Sequence, residues 1–489
     1  MKRQTQLRLL VALTIVWVAW AGWSLLGRAT PYELRVLNDV GDPVVSAVVD
    51  VDGNQMGTSG EDGRVQMDWN RSSTVLEVSA PGHVAHTLTL AERPEGLVDV
   101  VLKARVLRGL VVDVEGVPVE GAVIQAGPSS GVSDAEGRFS LRGAEPGIVT
   151  VERPAWLTTT FTWDGGVGEA LAEMTQFTAR AVHISGEAVS ERFEEFLRMA
   201  DTTELNAVMI DLKDEEGIIW YKTTNQTSIA AGSNHGAYDL KAVVERAHAR
   251  GLYAIGRLVL FNDPKVAQAV PSMAIWDTTT DAPFSSRGQY FLDPTDPDAR
   301  AFGIELAAEA CAAGLDEIQF DYVRFPDVPV ETRATMRFDE ELTDEVRLST
   351  IPAFLSEAVN VLHPMGCAVA ADVFGFLTTD TSDGYIGQTW EDIANIVDVV
   401  SPMVYPSHYG PGWFQKENPN DHPADVVDEA LSDGMDRLPR SVVVRPWLQD
   451  FGYDESQVRA QITSAERYDL GWMLWNAKSN VTVSALGPS

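Results

Sequence analysis

The run Gln319-Phe-Asp-Tyr-Val-Arg-Phe-Pro326 sets an acid, Asp321, among apolar neighbours, with Tyr322 and Arg324 just beyond it. A carboxylate in such surroundings is costly unless it is paired or used. Asp321 is therefore expected either to do chemistry or to sit in an ion pair with Arg324 or Arg257. Asp372, within Ala370-Ala-Asp-Val-Phe-Gly375, has the same character. Two carboxyl groups flanking a cleft can cleave a glycosidic bond, one as acid and the other as nucleophile or base. A separation of about 5–5.5 Å means retention of configuration, and about 6.5–9.5 Å means inversion. The sequence leaves that choice open.

Other residues fit a sugar. Tyr405, Trp447 and Trp475 offer faces that stack on the apolar side of sugar rings. Arg257, Tyr322, Arg324, His408, Lys213, Asp211 and Asp450 offer groups that bond hydroxyls. Each has a plainer use. Asp211 can pair with Lys213, His183 and His408 can be satisfied structural histidines, and Trp475 can be core. Asp214, Glu215 and Glu216 read as a solvated loop face. No metal site is expected: the chain has 8 histidines and no His-x-His pair, which a barrel metallohydrolase would need at its strand ends. That chemistry stands as a rival reading with weak support. No cofactor is implied.

These residues fall at the ends of apolar runs alternating with amphipathic helical segments. The expected strands are 181–185, 207–212, 253–258, 317–323, 368–373, 399–404, 442–447 and 471–475. Helical segments fall between them, among them 191–200, 239–250, 298–313, 352–362, 424–431 and 455–466. Eight strands alternating with helices is the count of a (β/α)8 barrel, whose strand ends carry catalytic groups. A doubly wound open sheet would show a glycine-rich phosphate loop after its first strand, and none follows His183-Ile-Ser-Gly186. Little chain remains after Trp475 for an eighth helix.

Residues 32 to about 172 read as all-β, with Val-rich runs broken by Gly, Pro, Asp and Asn. They contain a repeat. Gly41-Asp-Pro-Val44 matches Gly116-Val-Pro-Val119, Thr58-Ser-Gly-Glu-Asp-Gly-Arg64 matches Val132-Ser-Asp-Ala-Glu-Gly-Arg138, and Val78-Ser-Ala-Pro81 matches Val151-Glu-Arg-Pro154, at offsets of 73 to 75 positions. Such a period is about one small β-sandwich.

The chain has 489 residues and a formal charge of −34, which disfavours nucleic acid and anionic lipid headgroups as partners. Lys2, Arg3 and Arg8 precede an apolar run from Leu9 to Leu26. That pattern is a signal peptide or signal anchor of about 18 residues, just enough to span a bilayer. Residues after about 30 are then expected outside the cytoplasm, secreted or tethered to the cell membrane. Cys311 and Cys367 lie in no CxxC motif and are expected first as two small buried apolar side chains; a disulfide is the alternative, which nothing in their spacing supports.

Two resemblances extend this reading. The repeats, with their Gly-x-Pro-Val and Asp/Glu-Gly-Arg turns, resemble carboxypeptidase regulatory-like domains. That resemblance implies two spacer or contact modules at 31–104 and 105–174, able to touch the cell envelope. The stretches Asp211-Leu-Lys-Asp-Glu-Glu-Gly217, Arg257-Leu-Val-Leu-Phe-Asn-Asp-Pro264, Phe291-Leu-Asp-Pro294, Gln319–Pro326, Ala371-Asp-Val-Phe-Gly375 and Ser401-Pro-Met-Val-Tyr-Pro-Ser-His-Tyr409 resemble the glycoside hydrolase family first catalogued as DUF4015. That resemblance implies a TIM barrel over 175–489, related to α-amylase-like glycosidases. It also implies a retaining scheme, with Asp321 as nucleophile and Asp372 as acid/base. Against the amylase pattern, Gln319 replaces an Arg, Asp372 replaces a Glu, and Gln449-Asp450 replaces a His-Asp pair. The expected function is hydrolysis of an extracytoplasmic polysaccharide. The alternative is a non-catalytic glycan-binding or envelope scaffold protein.

Overall fold

The computed structural model describes residues 30–69, 74–438 and 442–489. The apolar segment Leu9–Leu26 lies outside the described residues. No helix among the described residues is long and apolar enough to cross a membrane. The chain forms two compact units: one of residues up to Glu152 with Thr158–Met174, the other of Arg153–Leu157 with Thr175–Ser489.

The first unit is all-β and duplicated. Its first half packs the sheet Arg64–Trp69, Thr30–Asn38, Val98–Leu102 against the sheet Asn54–Thr58, Val48–Val51, Thr74–Ser79, His86–Leu90. Leu34 and Val36 from one sheet share a core with Val49, Leu76 and Val78 from the other. The second half repeats this connectivity strand for strand, from Val106–Asp113 to Glu169–Met174. The repeated motifs have matching roles. The buried Ser59 hydroxyl donates to the Val44 carbonyl and accepts from the Ala47 N–H. Ser133 does the same with Val119 and Ala122. Gly63 and Gly137 both have positive φ, and a Cβ there would lie 2.5 Å from the Val36 oxygen or 2.4 Å from the Val111 oxygen, so glycine is required in each turn.

The second unit is a closed parallel barrel. Its strands are β1 (Arg180–Ile184), β2 (Ala207–Lys213), β3 (Tyr253–Val259), β4 (Glu317–Asp321), β5 (Ala368–Phe374), β6 (Val399–Met403), β7 (Val443–Val444 and Trp447–Gln449) and β8 (Trp472–Trp475). Each pairs with the next, and β8 pairs back to β1. The principal outer helices are α1 (Gly186–Ala200), α2 (Leu240–His248), α3 (Pro297–Ala312), α4 (Asp344–Leu362), α5 (Pro423–Met435) and α6 (Glu455–Glu466). Ser185, Asp239, Asp296, Thr343 and Asp454 accept backbone N–H groups at the starts of α1, α2, α3, α4 and α6, satisfying donors that a helix start leaves open. After β8 there is a single 3₁₀ turn, Val483–Ala485.

Strand alternation sorts the side chains. Val208, Ile210, Ile318, Phe320, Val369 and Ala371 join the layer beneath the helices. Their neighbours Ala207, Met209 and Ile255 pack with Trp447 and Met473 in a separate cluster. The alternate positions nearer the strand ends carry His183, Asp211, Arg257, Asp321 and Asp372.

The cysteines correct an expectation. Cys311 at the end of α3 and Cys367 just before β5 form a disulfide, with Cα atoms 6.1 Å apart. They are 56 positions apart in sequence. The barrel closes that distance because α3 leads into β4, and β4 lies beside β5. Local spacing carries no trace of such a pairing.

Candidate active site

β4 was expected to run to Val323 but stops at Asp321, because Tyr322 adopts a left-handed conformation with φ of 52°. Strain of this kind collects at functional sites. The turn directs the Tyr322 N–H to Asp321 Oδ1 at 2.6 Å. Asp321 Oδ2 accepts from Arg257 Nε at 3.0 Å and from Nη2 at 2.5 Å. Every oxygen of Asp321 is thus oriented by a donor on an adjacent element.

Arg257 is 1% exposed and is the hub of the site. Its Nη1 donates to Asp211 Oδ1 at 2.8 Å, and its Nη2 also donates to Glu215 Oε1 at 2.5 Å. Its guanidinium lies 4.6 Å from the Trp475 ring centre. Burial by itself would favour the neutral form, but Glu215, Asp321 and Asp211 outweigh it and hold Arg257 cationic. Burial pushes the Asp211 carboxyl up, yet His183 and Arg257 bring it below its ordinary value. His183 bonds Asp211 Oδ2 and the Asn476 carbonyl, each at 2.9 Å. The chain Asn476–His183–Asp211–Arg257–Asp321 therefore links the ends of β8, β1, β2, β3 and β4.

Asp372 is held differently. Its Oδ1 accepts from Trp447 Nε1 at 2.7 Å and from Gln319 Nε2. Its Oδ2 has no hydrogen-bond partner among the described residues. Burial, followed by the nearby Asp321 charge, pushes this carboxyl well above its ordinary value. The neutral form of Asp372 is thus favoured by its surroundings, whereas the Asp321 carboxylate meets a guanidinium.

A cleft of about 660 Å³ opens over these groups. Of the residues expected at the site, Asp321, Arg257, Tyr322, Arg324, Tyr405, His408, Trp447 and Trp475 line it. Trp447 and Trp475 stand edge to face, 5.4 Å between centres, and Tyr405 meets His408 edge to face at 5.1 Å. Burial lowers the His408 pKa and so favours its neutral imidazole.

Four expected residues do not form the cleft wall. Asp372 is 1% exposed and is bonded to the Trp447 indole, which does line it. Asp211 braces Arg257. Lys213 follows a bulge in β2; its ammonium donates to the Val259 and Leu260 carbonyls and pairs with Asp263 at 2.9 Å. Asp450 accepts the Thr482 N–H and hydroxyl, tying the tail beyond β8 to the barrel.

One cleft residue was misread in the sequence. Glu215 belongs to the wall rather than to a solvated loop face. Its loop is folded by Asp214 Oδ1, which accepts the Glu216 and Ile218 N–H groups. Asn262 then clamps it through the Glu215 carbonyl at 3.1 Å. Gly217, with φ of +73°, permits a close approach to Asp263 that any Cβ would block at 2.5 Å. The glycine was the available signal that this acidic run is a built turn.

Residues 181–481 match the DUF4015 family model, described as "Putative glycosyl hydrolase domain". The chain belongs to the DUF4015 family. Among solved structures, this DUF4015 barrel is similar to a hypothetical protein from Ruminiclostridium thermocellum, at 30% identity over 39% of this chain and 97% of that one, with a TM-score of 0.35. It is also similar to the PgaB (BpsB) glycoside hydrolase domain from Bordetella bronchiseptica, at 14% identity over 62% and 95%, with a TM-score of 0.42. A third is the noncanonic maltogenic α-amylase AmyB from Thermotoga neapolitana, at 12% identity over 61% and 67%, with a TM-score of 0.37. No curated protein matches the sequence. Among the described residues, no group of three or more His, Cys, Asp and Glu side chains is arranged to hold a metal ion.

Proposed function

We propose that this DUF4015 barrel hydrolyses glycosidic bonds of an extracytoplasmic polysaccharide by a retaining mechanism, with Asp321 as nucleophile and Asp372 as acid/base. The observation that carries the reading is the contrast between two carboxyls on neighbouring strands. Asp321 faces the cleft and is bonded by Arg257, whereas burial favours the neutral form of Asp372, which has an oxygen without a partner among the described residues. Two carboxyls in such different environments can divide nucleophilic and acid chemistry between them. Asp321 Oδ2 attacks the anomeric carbon and forms a glycosyl ester. The leaving oxygen takes the Asp372 proton. Asp372, now a carboxylate, takes a proton from water as that water opens the ester.

A second reading of the acid/base is favoured by one observation: Glu215 lines the cleft and Asp372 does not. Glu215 Oε1 and Asp321 Oδ2 each lie 2.5 Å from Arg257 Nη2. The two oxygens are thus at most twice that distance apart, compatible with the spacing of about 5–5.5 Å between carboxyl groups in retaining enzymes. In that scheme Glu215 must take up a proton when substrate enters, leaving Asp211 and Asp321 as the anions of Arg257, and then deliver it to the leaving oxygen, while Asp372 positions Trp447 by accepting its indole N–H.

The test is a panel of aryl glycosides and polysaccharides with Asp321→Asn, Asp372→Asn and Glu215→Gln. Asp321→Asn should lose turnover with its fold intact, and unchanged turnover removes the assignment. The acid/base variant should lose about 10²–10⁴-fold on poor leaving groups and far less on activated ones. Whichever of Asp372 and Glu215 shows that split is the acid. Glycan binding without turnover by the wild type across the panel would favour a non-catalytic role.

The Cys311–Cys367 disulfide supports an exported barrel, because such bonds persist in oxidising compartments. The basic and apolar amino-terminal segment supports export as well. In this scheme the two sandwiches are carboxypeptidase regulatory-like spacers that present the barrel at the cell envelope.

A further inference from the structure

Four arginines among the described residues are buried: Arg257, Arg324, Arg347 and Arg445. Three have carboxylate partners. Arg257 has Asp211, Glu215 and Asp321; Arg347 has Asp344 and Asp383; Arg445 has Glu317. Arg324 has none within ion-pair distance among the described residues. It is 8% exposed and lines the cleft. Its one hydrogen bond among the described residues runs from Nη1 to the Phe325 carbonyl at 3.1 Å. Aromatic rings hold the guanidinium, with Tyr322 and Phe374 centres each at 4.7 Å and Phe291 at 6.0 Å. Aromatic faces stabilise a cation modestly, but they leave its remaining N–H donors without an anion.

A buried cation without an anionic partner is costly. The chain carries 71 acidic and 37 basic residues, so acids are plentiful, yet among the described residues none comes within ion-pair distance of Arg324; Asp321 and Asp327 act on it only from farther off. The cleft contains a second guanidinium with no ion pair among the described residues, the exposed Arg287. It sits in the turn between the paired segments Ser285–Ser286 and Gln289–Tyr290. Gln289 Nε2 donates to the Tyr322 hydroxyl at 3.2 Å, which pins this turn to the ring that carries Arg324. The two guanidinium groups therefore line one cleft, on segments joined by the Gln289–Tyr322 bond. A planar guanidinium with open N–H groups is suited to an oxyanion bound by two parallel hydrogen bonds.

We propose that the glycan taken by this cleft is acidic, with a carboxylate or sulfate ester of one sugar bound by Arg324. The inference rests on the reading of the cleft as a glycan site and adds the class of sugar. The shared chemistry is a planar or tetrahedral oxyanion on the ring, and its source is separable by experiment.

The test is calorimetric binding in the full chain carrying Asp321→Asn, so that no turnover is needed. Three ligands of equal length are compared: a hexauronate, its carboxyl-reduced neutral counterpart, and a sulfated form of that neutral hexamer. At least one acidic ligand should bind tenfold or more tightly than the neutral one, and added salt should reduce the gap. The preferred acidic ligand identifies carboxylate or sulfate as the source. Adding Arg324→Gln should abolish the preference while neutral binding persists, and Arg324→Lys should restore part of it. Equal binding of all three ligands, or a preference that survives Arg324→Gln, overturns the proposal. If acidic ligands are preferred but the wild type never cleaves them, only the hydrolase reading fails. If the wild type cleaves neutral glycans with no preference for charge, only the acidic-substrate inference fails.

Discussion

Arg257 grips Asp321 through two nitrogens of one guanidinium, Nε at 3.0 Å and Nη2 at 2.5 Å. A lysine at this position would keep the charge but not the fork, and could not also reach Asp211 and Glu215. Arg257→Lys should therefore lower kcat by about 10²–10³-fold, the usual cost of removing a preorganised donor, with a much smaller change in KM. Arg257→Met leaves three carboxylates without their cation and should destabilise the barrel by roughly 3–5 kcal/mol. Steady-state kinetics and denaturant melts check the two outcomes separately.

The state of Asp372 makes a pH prediction. Its folded pKa is raised, first by burial and then by the charge on Asp321. The unfolded chain ionises at the ordinary aspartate value of about 3.9. Below that value both states are protonated and no cost arises. As pH rises above it, the unfolded chain releases a proton that the folded one retains, so this residue subtracts stability progressively until the folded pKa is passed. Asp372→Asn mimics the neutral carboxyl and keeps an oxygen for Gln319 and Trp447. Its Tm should match or trail the wild type near pH 4, about the unfolded pKa, and gain on it as pH rises from there until the folded pKa is passed. A Tm gap that stays constant with pH would show Asp372 to be ionised in the fold.

Reduction should weaken the barrel. The Cys311–Cys367 bond spans 56 positions, and closing a loop of that size in the unfolded chain is worth about 4 kcal/mol on the entropic model. A reducing agent, or the pair Cys311→Ala and Cys367→Ala, should lower the melting temperature of the barrel transition. Residues 30–174 contain no cysteine, so a transition belonging to the sandwiches should not move. A barrel that melts unchanged when reduced would mean the bond adds no stability.

Much of the architecture was legible because strand side chains alternate. The apolar runs predicted eight strands, and the same alternation set His183, Asp211, Arg257, Asp321 and Asp372 apart from their helix-facing neighbours. The repeat was legible because a buried serine and a positive-φ glycine must recur wherever the same turn is built, as Ser59 and Gly63 do in Ser133 and Gly137. Depth in the barrel was not legible. Asp321 is the last residue of its strand, since Tyr322 turns away at once, while β5 runs on through Val373 and Phe374. One acid thus reaches the cleft wall, and the other stays bonded to Trp447 from β7. The role of Glu215 and the Cys311–Cys367 bond were hidden for the same reason. Periodicity determined which way each side chain points, because it is a property of a few consecutive residues. Which of them meet, and how deeply, was decided by contacts between elements from separate parts of the chain, brought together only when the barrel closes.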